Sequence, residues 1–132
     1  KPQKNPINNG LMLVGDAAHQ INPMTGGGIA SGMRGGQIAG KVSVDALKIG
    51  DYSMEFLKIY SNNMMKTFGK NHNRFYRIKE TIHGLNDEDL DYIADKVSLI
   101  PEHKRGLLDI FKSAVYKKPS LVIDVLKVFA GV

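Results

Sequence analysis

Cysteine is absent from the 132 residues, and that one absence excludes a disulfide framework, a thiolate metal site and a cysteine nucleophile. The four histidines are scattered and do not replace them; His72, His83 and His103 lack ligand spacing and read as surface or partly buried residues. No apolar run reaches the roughly 18 to 20 residues that a bilayer-spanning helix needs. The start at Lys1 also lacks the charged opening and apolar stretch of a secretory signal. Internal repeats and low-complexity segments are missing as well, and the expectation is a soluble, cytoplasmic protein. Acidic residues are the scarcer charge, 13 against 18 Lys and Arg, for a formal charge of +5. Apolar residues at 42% and charged residues at 23% give the balance of a chain that folds, and the length suits about one domain. The chain opens without Met and enters a strand-like segment at once, so residues before Lys1 are expected.

What is present divides the chain in two. Ten of the 14 glycines fall between Gly10 and Gly50, whereas 13 of the 18 basic and 11 of the 13 acidic residues lie after position 50. Asn8-Asn9-Gly10 is a turn signal. Leu11-Met12-Leu13-Val14 is a continuous apolar run ended by Gly15-Asp16, which predicts a strand buried on both faces. Asn22 to Gly28 is a loop, broken by Pro23 and three glycines. Helical spacing runs from about Ile29 to Ile49, with Gly50 as the stop. Beyond it, Phe56, Leu57, Tyr60, Met64, Phe68, Phe75 and Ile78 predict helix from Tyr52 to about His83, with a possible interruption at Gly69 to Asn73. Asn86 followed by Asp87, Glu88 and Asp89 predicts a capped helix through Val97. Pro101 predicts the start of another containing Leu107, Leu108, Phe111 and Val115, and Pro119 the start of a last one to Phe129.

The chemistry concentrates in Gly15-Asp16-Ala17-Ala18-His19, with Pro23 and then Gly26-Gly27-Gly28-Ile29 after it. A strand that ends in a carboxylate can present it at the carboxyl edge of a parallel sheet, where open α/β folds bind ligands. Such a group suits a sugar hydroxyl. The glycines that follow let a flat ligand approach the backbone, and they leave N–H groups unpaired at a helix start. Those donors and the helix dipole favour negative charge, on a phosphate or on a reduced ring.

This pattern resembles the second FAD-binding motif of the large flavoprotein family that includes aromatic hydroxylases, halogenases and geranylgeranyl reductases, over about Leu11 to Gly40. The resemblance implies that Asp16 hydrogen-bonds the ribityl chain of FAD and that Pro23 lies beside the isoalloxazine. It implies that Gly27, Gly28 and Ile29 complete the cofactor-binding set, with Gly28 and Ile29 offering N–H groups toward flavin N1 and the C2 carbonyl. Hydroxylases usually carry Gln at the place of Gly27 and often an acidic residue near Gly35. Here Gly26-Gly27-Gly28-Ile29-Ala30 continues to Gly35-Gly36-Gln37-Ile38-Ala39, which is similar to the geranylgeranyl reductase pattern. His19 fits both versions. The helical second half, including Leu85 to Val97, resembles the tail of the archaeal reductases of that family.

The fold class implied is an α/β segment, mainly α-helical. Residues 1–50 would be one strand and the following helix of an FAD-binding, Rossmann-like domain, and residues 51–132 a C-terminal helical region. The function implied is FAD-dependent reduction of C=C bonds in geranylgeranyl chains of archaeal membrane lipids. The substrate is then an isoprenoid lipid, and contact with anionic membrane is peripheral, at the inner face. No residue can be named as proton donor, the electron donor is unknown, and these residues alone are expected to bind FAD weakly or not at all. The alternatives are an FAD-dependent aromatic monooxygenase and a non-enzymatic helical module with a relic flavin site.

Several features have blander readings. Gly35, Gly40 and Lys41 imitate a phosphate loop, but Val42 stands where Ser or Thr should reach magnesium, and the run falls inside a helix. Gly28, Gly32, Gly36 and Gly40 line one helical face, which predicts close helix packing. Asp87, Glu88, Asp89 and Asp91 lack the Gly and Glu of a calcium loop and read as a solvated helix start. Lys66, Lys70, Arg74, Arg77 and Lys79, interleaved with Phe68, Phe75 and Tyr76, read first as a solvated helical face. The functional reading is attraction to anionic headgroups or to FAD pyrophosphate; nucleic acid is not expected, since no recognition motif accompanies the charge. Leu121 to Phe129 would seal the core or touch a membrane surface. Asp16 by itself would be no more than a loop cap; its neighbours make it a ligand-binding candidate.

Overall fold

The computed structural model describes residue 1, residues 3–106 and residues 109, 112 and 115. The chain forms two compact units, Lys1–Tyr76 and Arg77–Val132.

The first unit opens with a hairpin. Strand β1 (Ile7–Asn8) pairs antiparallel with β2 (Leu11–Met12), Ile7 opposite Met12 and Asn8 opposite Leu11. The strand expected over Leu11–Val14 is thus shorter, and its partner is antiparallel. Nor is it buried on both faces, since Leu11 is 50% exposed. The ladder stops at the next pair, Pro6 with Leu13, because Pro6 has no N–H to return to Leu13. The Leu13 N–H donates to the Pro6 carbonyl at 2.7 Å, and its carbonyl accepts the Tyr60 hydroxyl at 2.7 Å. Its backbone is satisfied without another strand.

A 3₁₀ turn, Gly15–Ala18, follows and is closed by His19 in the left-handed region at φ 52°. Helix α1 (Ile29–Ile49) then runs to Gly50, whose φ of 76° lets its N–H turn back to the Ala46 carbonyl at 2.8 Å. Helix α2 (Met54–Met64) starts at Ser53, whose hydroxyl accepts the Phe56 N–H. Small residues on α1 meet large ones on α2. Ala39, Val42 and Ala46 form one buried cluster with Leu57 and Tyr60, and Ile7, Met12, Val14, Ile38 and Phe56 pack against it. Apolar burial of this kind stabilises by about 25 cal/mol per Å².

The sequence predicts a break at Gly69–Asn73. The irregularity lies instead at Met65–Gly69, a π-helical turn, and helix α3 (Lys70–His83) continues from it. Gly69 is buried against methionine sulfur, with Met64 Sδ 3.1 Å from where a Cβ would stand. A side chain there would press on the sulfur atoms of Met64 and Met65.

In the second unit, helix α4 (Asp87–Ser98) begins at Asn86, whose Oδ1 accepts the Asp89 N–H at 2.8 Å, with three acidic residues in its first turn. Ile78, Leu85 and Ile93 are its buried apolar residues. The helix expected from Pro101 does not start there. A short 3₁₀ turn, Glu102–Lys104, ends at Arg105, which folds back so that its guanidinium donates to the carbonyls of Ile100 and Ser98. Asp109, Lys112 and Val115 are helical, whereas Leu107, Leu108, Phe111 and the segment from Pro119 to Phe129 lie outside the described residues. Among the described residues no helix is long and apolar enough to cross a membrane.

Candidate functional site

The site is built where the 3₁₀ turn faces the start of α1. Gly15 adopts φ 65°, which a side chain would resist, and so turns Asp16 out of the chain's path. Asp16 is exposed. Its carboxylate hydrogen-bonds nothing among the described residues, so both oxygens keep their acceptor capacity. Opposite it stands Gly28, pinned so closely that a Cβ would lie 3.4 Å from Asp16 Oδ1 and 3.2 Å from Ile21 Cγ1. Glycine is favoured here by close approach, not by dihedral angle.

Among the described residues the N–H groups of Gly28, Ile29, Ala30 and Ser31 find no acceptor, as expected of the first turn of a helix. Gly27 differs from its neighbours, because its N–H donates to Thr25 Oγ1 at 3.2 Å. The loop before it is held by Asn22, whose N–H and carbonyl bond Gly27 and Gly26 and whose Oδ1 accepts from Met24 at 2.9 Å. The turn and α1 enclose a groove of about 470 Å³ lined by Gly15, Asp16, Ile21, Gly28, Ile29 and Met33. The structure therefore brings together Asp16, Gly28 and Ile29, with Gly27 beside them but already engaged. Pro23 is half-buried in the same loop.

A carboxylate acceptor facing unpaired amide donors across a glycine-lined groove fits a ligand with hydroxyls at one end and an electron-rich edge at the other. The positive end of α1 adds to that preference. The donor and acceptor set is compatible with the ribityl chain and pyrimidine edge of a flavin.

Three residues that frame this groove have no signature in the sequence. Gln20 is fully buried and Tyr60 likewise; Gln20 Nε2 donates to the Tyr60 hydroxyl at 2.6 Å, and Gln20 Oε1 accepts the Gly15 N–H at 2.9 Å. Burial raises the Tyr60 phenol above its usual 10.0, a shift that the Gln20 hydrogen bond moderates. Gly35 belongs with them, since a Cβ there would stand 2.9 Å from Gln20 Cδ and closer still to Oε1. The glycine face predicted to pack closely does so only at its start. Gly32 approaches the Gly15 Cα, but nothing lies within 4 Å of a Cβ at Gly36 or Gly40.

A second cleft, of about 620 Å³, shares Gly26, Gly28 and Ile29 with the first and reaches Arg34, Phe68 and His72. His72, expected at or near the surface, is only 6% exposed. Its Nδ1 has no hydrogen-bond partner among the described residues. Burial holds its imidazole below the usual 6.5. Gly35, Gly40 and Lys41 all lie inside α1, so they form no phosphate loop, and the described residues include no cluster able to hold a metal ion.

The chain is similar in sequence and in fold to known reductases. No family model matches the chain, but it is homologous to reductases of the geranylgeranyl class. One is digeranylgeranylglycerophospholipid reductase 2 of Methanococcoides burtonii, 37% identical over 126 residues, which are 96% of this chain and 31% of that protein. Another, the digeranylgeranylglycerophospholipid reductase of Picrophilus torridus, is 39% identical over 113 residues, 86% of this chain and 28% of its own. The crystal structure of a geranylgeranyl bacteriochlorophyll reductase-like protein from Thermoplasma acidophilum superposes with a TM-score of 0.75 at 34% identity, over 95% of this chain and 32% of that one. The chain thus spans about a third of the length of these relatives.

Proposed function

We propose that these residues form part of an FAD-dependent reductase that saturates the C=C bonds of geranylgeranyl chains in archaeal membrane lipids. The observation that carries this reading is the Asp16 carboxylate set against the unpaired amides of Gly28 and Ile29 across one groove. Homology to digeranylgeranylglycerophospholipid reductases supports the substrate class. When bound, the flavin supplies the hydride that alkene reduction needs. The chain's own part is to bind and orient. Asp16 accepts from ribityl hydroxyls, and the Gly28 and Ile29 amides with the α1 dipole favour negative charge at the pyrimidine edge.

Residues 1–50 serve, in this reading, as a strand and helix of a larger cofactor domain, and residues 51–132 as the helical region beyond it. The exposed apolar residues Ile29, Met33, Val44 and Leu47, at 84%, 73%, 49% and 67%, fall along one side of α1 with the bare Gly36 and Gly40. Such a stripe suits burial by further chain. The exposed Lys66 and Lys70 support a peripheral contact with anionic lipid.

The test uses the complete polypeptide that contains these residues, loaded with FAD, reduced without oxygen and given a geranylgeranyl glycerophospholipid. Mass spectrometry should find two hydrogens added per double bond. Oxygen-dependent hydroxylation without alkene reduction would refute the reading in favour of a monooxygenase. Asp16→Ala should lower flavin content about tenfold or more, the range expected when a charge-assisted hydrogen bond is lost; unchanged content would mark a relic site.

A further inference from the structure

We propose that Gln20 is a positioning residue: its buried side-chain amide sets where the Asp16 carboxylate stands relative to the Gly28 and Ile29 amides, and thereby the affinity for the flavin. The inference rests on the flavin reading above and adds to it a residue that never touches the ligand.

The argument begins with what holds Asp16. Its own side chain has no partner among the described residues, so its position is inherited from Gly15 and from the turn. Gly15 is tied to Gln20 twice. The Gln20 N–H donates to the Gly15 carbonyl at 3.0 Å, and the Gly15 N–H donates to Gln20 Oε1 at 2.9 Å.

Gln20 is in turn tied to every neighbouring element. Its carbonyl accepts the Ser31 hydroxyl of α1. Its Nε2 donates at 2.6 Å to Tyr60 of α2, whose hydroxyl donates onward at 2.7 Å to the Leu13 carbonyl just before the turn. Gly35 presents bare backbone to the same amide, so α1 is seated directly on it.

The side-chain type follows from this geometry. The group must accept from Gly15 and donate to Tyr60 at once, and it must reach across a fully buried gap. Carboxylates only accept, and apolar side chains do neither; the glutamine amide does both in one rigid plane. The Tyr60 hydroxyl then has one donor left to give, and Leu13 takes it. The chain of bonds runs in one direction, from the Gly15 N–H to the Leu13 carbonyl, and so fastens the entry to the turn that carries Asp16.

The test compares apoprotein of the complete polypeptide with three variants. Gln20→Met conserves length and volume but makes neither hydrogen bond. Ser31→Ala removes the hydroxyl that α1 offers to the Gln20 carbonyl and, at 3.2 Å, to the Gly28 carbonyl. Leu57→Ala lowers stability through the same core but removes none of the network's hydrogen bonds. FAD affinity is read by absorbance titration, the bound ring by its visible circular dichroism, and the Gly15 and Asp16 amides by hydrogen exchange.

Gln20→Met should bind FAD about tenfold more weakly, the scale seen when supporting shells are removed, with altered dichroism and faster exchange at Gly15. Ser31→Ala should shift affinity the same way by about threefold, and it keeps the question open to refutation if Gln20→Met does not fold. Leu57→Ala should melt earlier yet bind FAD as the parent does. Parent-like affinity and dichroism in both network variants would overturn the inference, as would an equal loss in Leu57→Ala, which would reduce Gln20 to a stability role. A parent that takes up no FAD overturns the flavin reading itself and this inference with it.

Discussion

Tyr60→Phe isolates a polar contribution from a packing one. The ring stays in the cluster with Val42, Ala46 and Leu57, so the change removes one oxygen and almost no apolar contact. Two hydrogen bonds disappear, from Gln20 Nε2 and to the Leu13 carbonyl, each worth about 0.5 to 1.5 kcal/mol net. Both former partners are left without the hydroxyl, and Gln20 is fully buried, which adds a desolvation cost of about 1 to 3 kcal/mol for a stranded group. The expected loss is about 2 to 6 kcal/mol, read by urea denaturation at constant m-value. Its pH dependence is a second signature. Because burial holds the folded phenol above 10.0, the unfolded chain ionises first, and the parent loses this stability as pH rises above that value toward the folded one. The gap between parent and Tyr60→Phe should therefore narrow in alkali. A loss below about 0.5 kcal/mol at neutral pH, or a gap that widens with pH, would show that the hydroxyl contributes nothing beyond the ring.

Glycine positions should divide sharply. Gly35→Ala should destabilise by about 1 to 3 kcal/mol through collision with Gln20, despite gaining roughly 1 kcal/mol of helix propensity. Gly36→Ala and Gly40→Ala in the 132-residue chain, with nothing within 4 Å of either Cβ, should raise stability by up to about 1 kcal/mol. Thermal melts decide it, and a stabilising Gly35→Ala would discredit the close approach. His72 should make the chain acid-sensitive. Its folded pKa lies below 6.5, so the unfolded state takes up the proton first and stability falls as pH drops through 6.5 toward the folded value. Denaturation at pH 7 and pH 5 should show that slope flattened in His72→Gln, and equal slopes would contradict the burial.

The helical parts of the chain were legible because their signals are local. Gly50 stops α1 with its carbonyl bond to Ala46, and Asn86 caps α4 by the predicted side-chain geometry. The apolar run at Leu11–Val14 misled for a non-local reason. Its backbone is satisfied by Pro6 and by a tyrosine 47 positions away, and no windowed pattern contains that partner. The four-residue glycine stripe was visible, but what each glycine faces was not. Gly35 is off the stripe and has the tightest contact, whereas Gly36 and Gly40 are on it and open. Gly69 and the asparagines after it mark weak helix formers, whereas the irregular turn lies just before them, at Met65–Gly69.

The candidate site combines two requirements that oppose each other. Close approach to a flat ligand calls for glycine, and residues 26–28 supply it, but glycine is the residue with the greatest backbone freedom. A groove made only of such residues would lose affinity to the entropy of ordering it. Stiffness has to come from elsewhere, and it cannot come from side chains on the groove's own surface without filling it. The fold places it one layer behind. Asn22 ties the glycine loop through its side chain and backbone, and Gln20, Ser31 and Tyr60 tie the turn to α1 and α2. Function in this chain is therefore expected to be sensitive to buried polar substitutions behind the groove and tolerant of apolar ones in the Leu57 core that leave the fold standing.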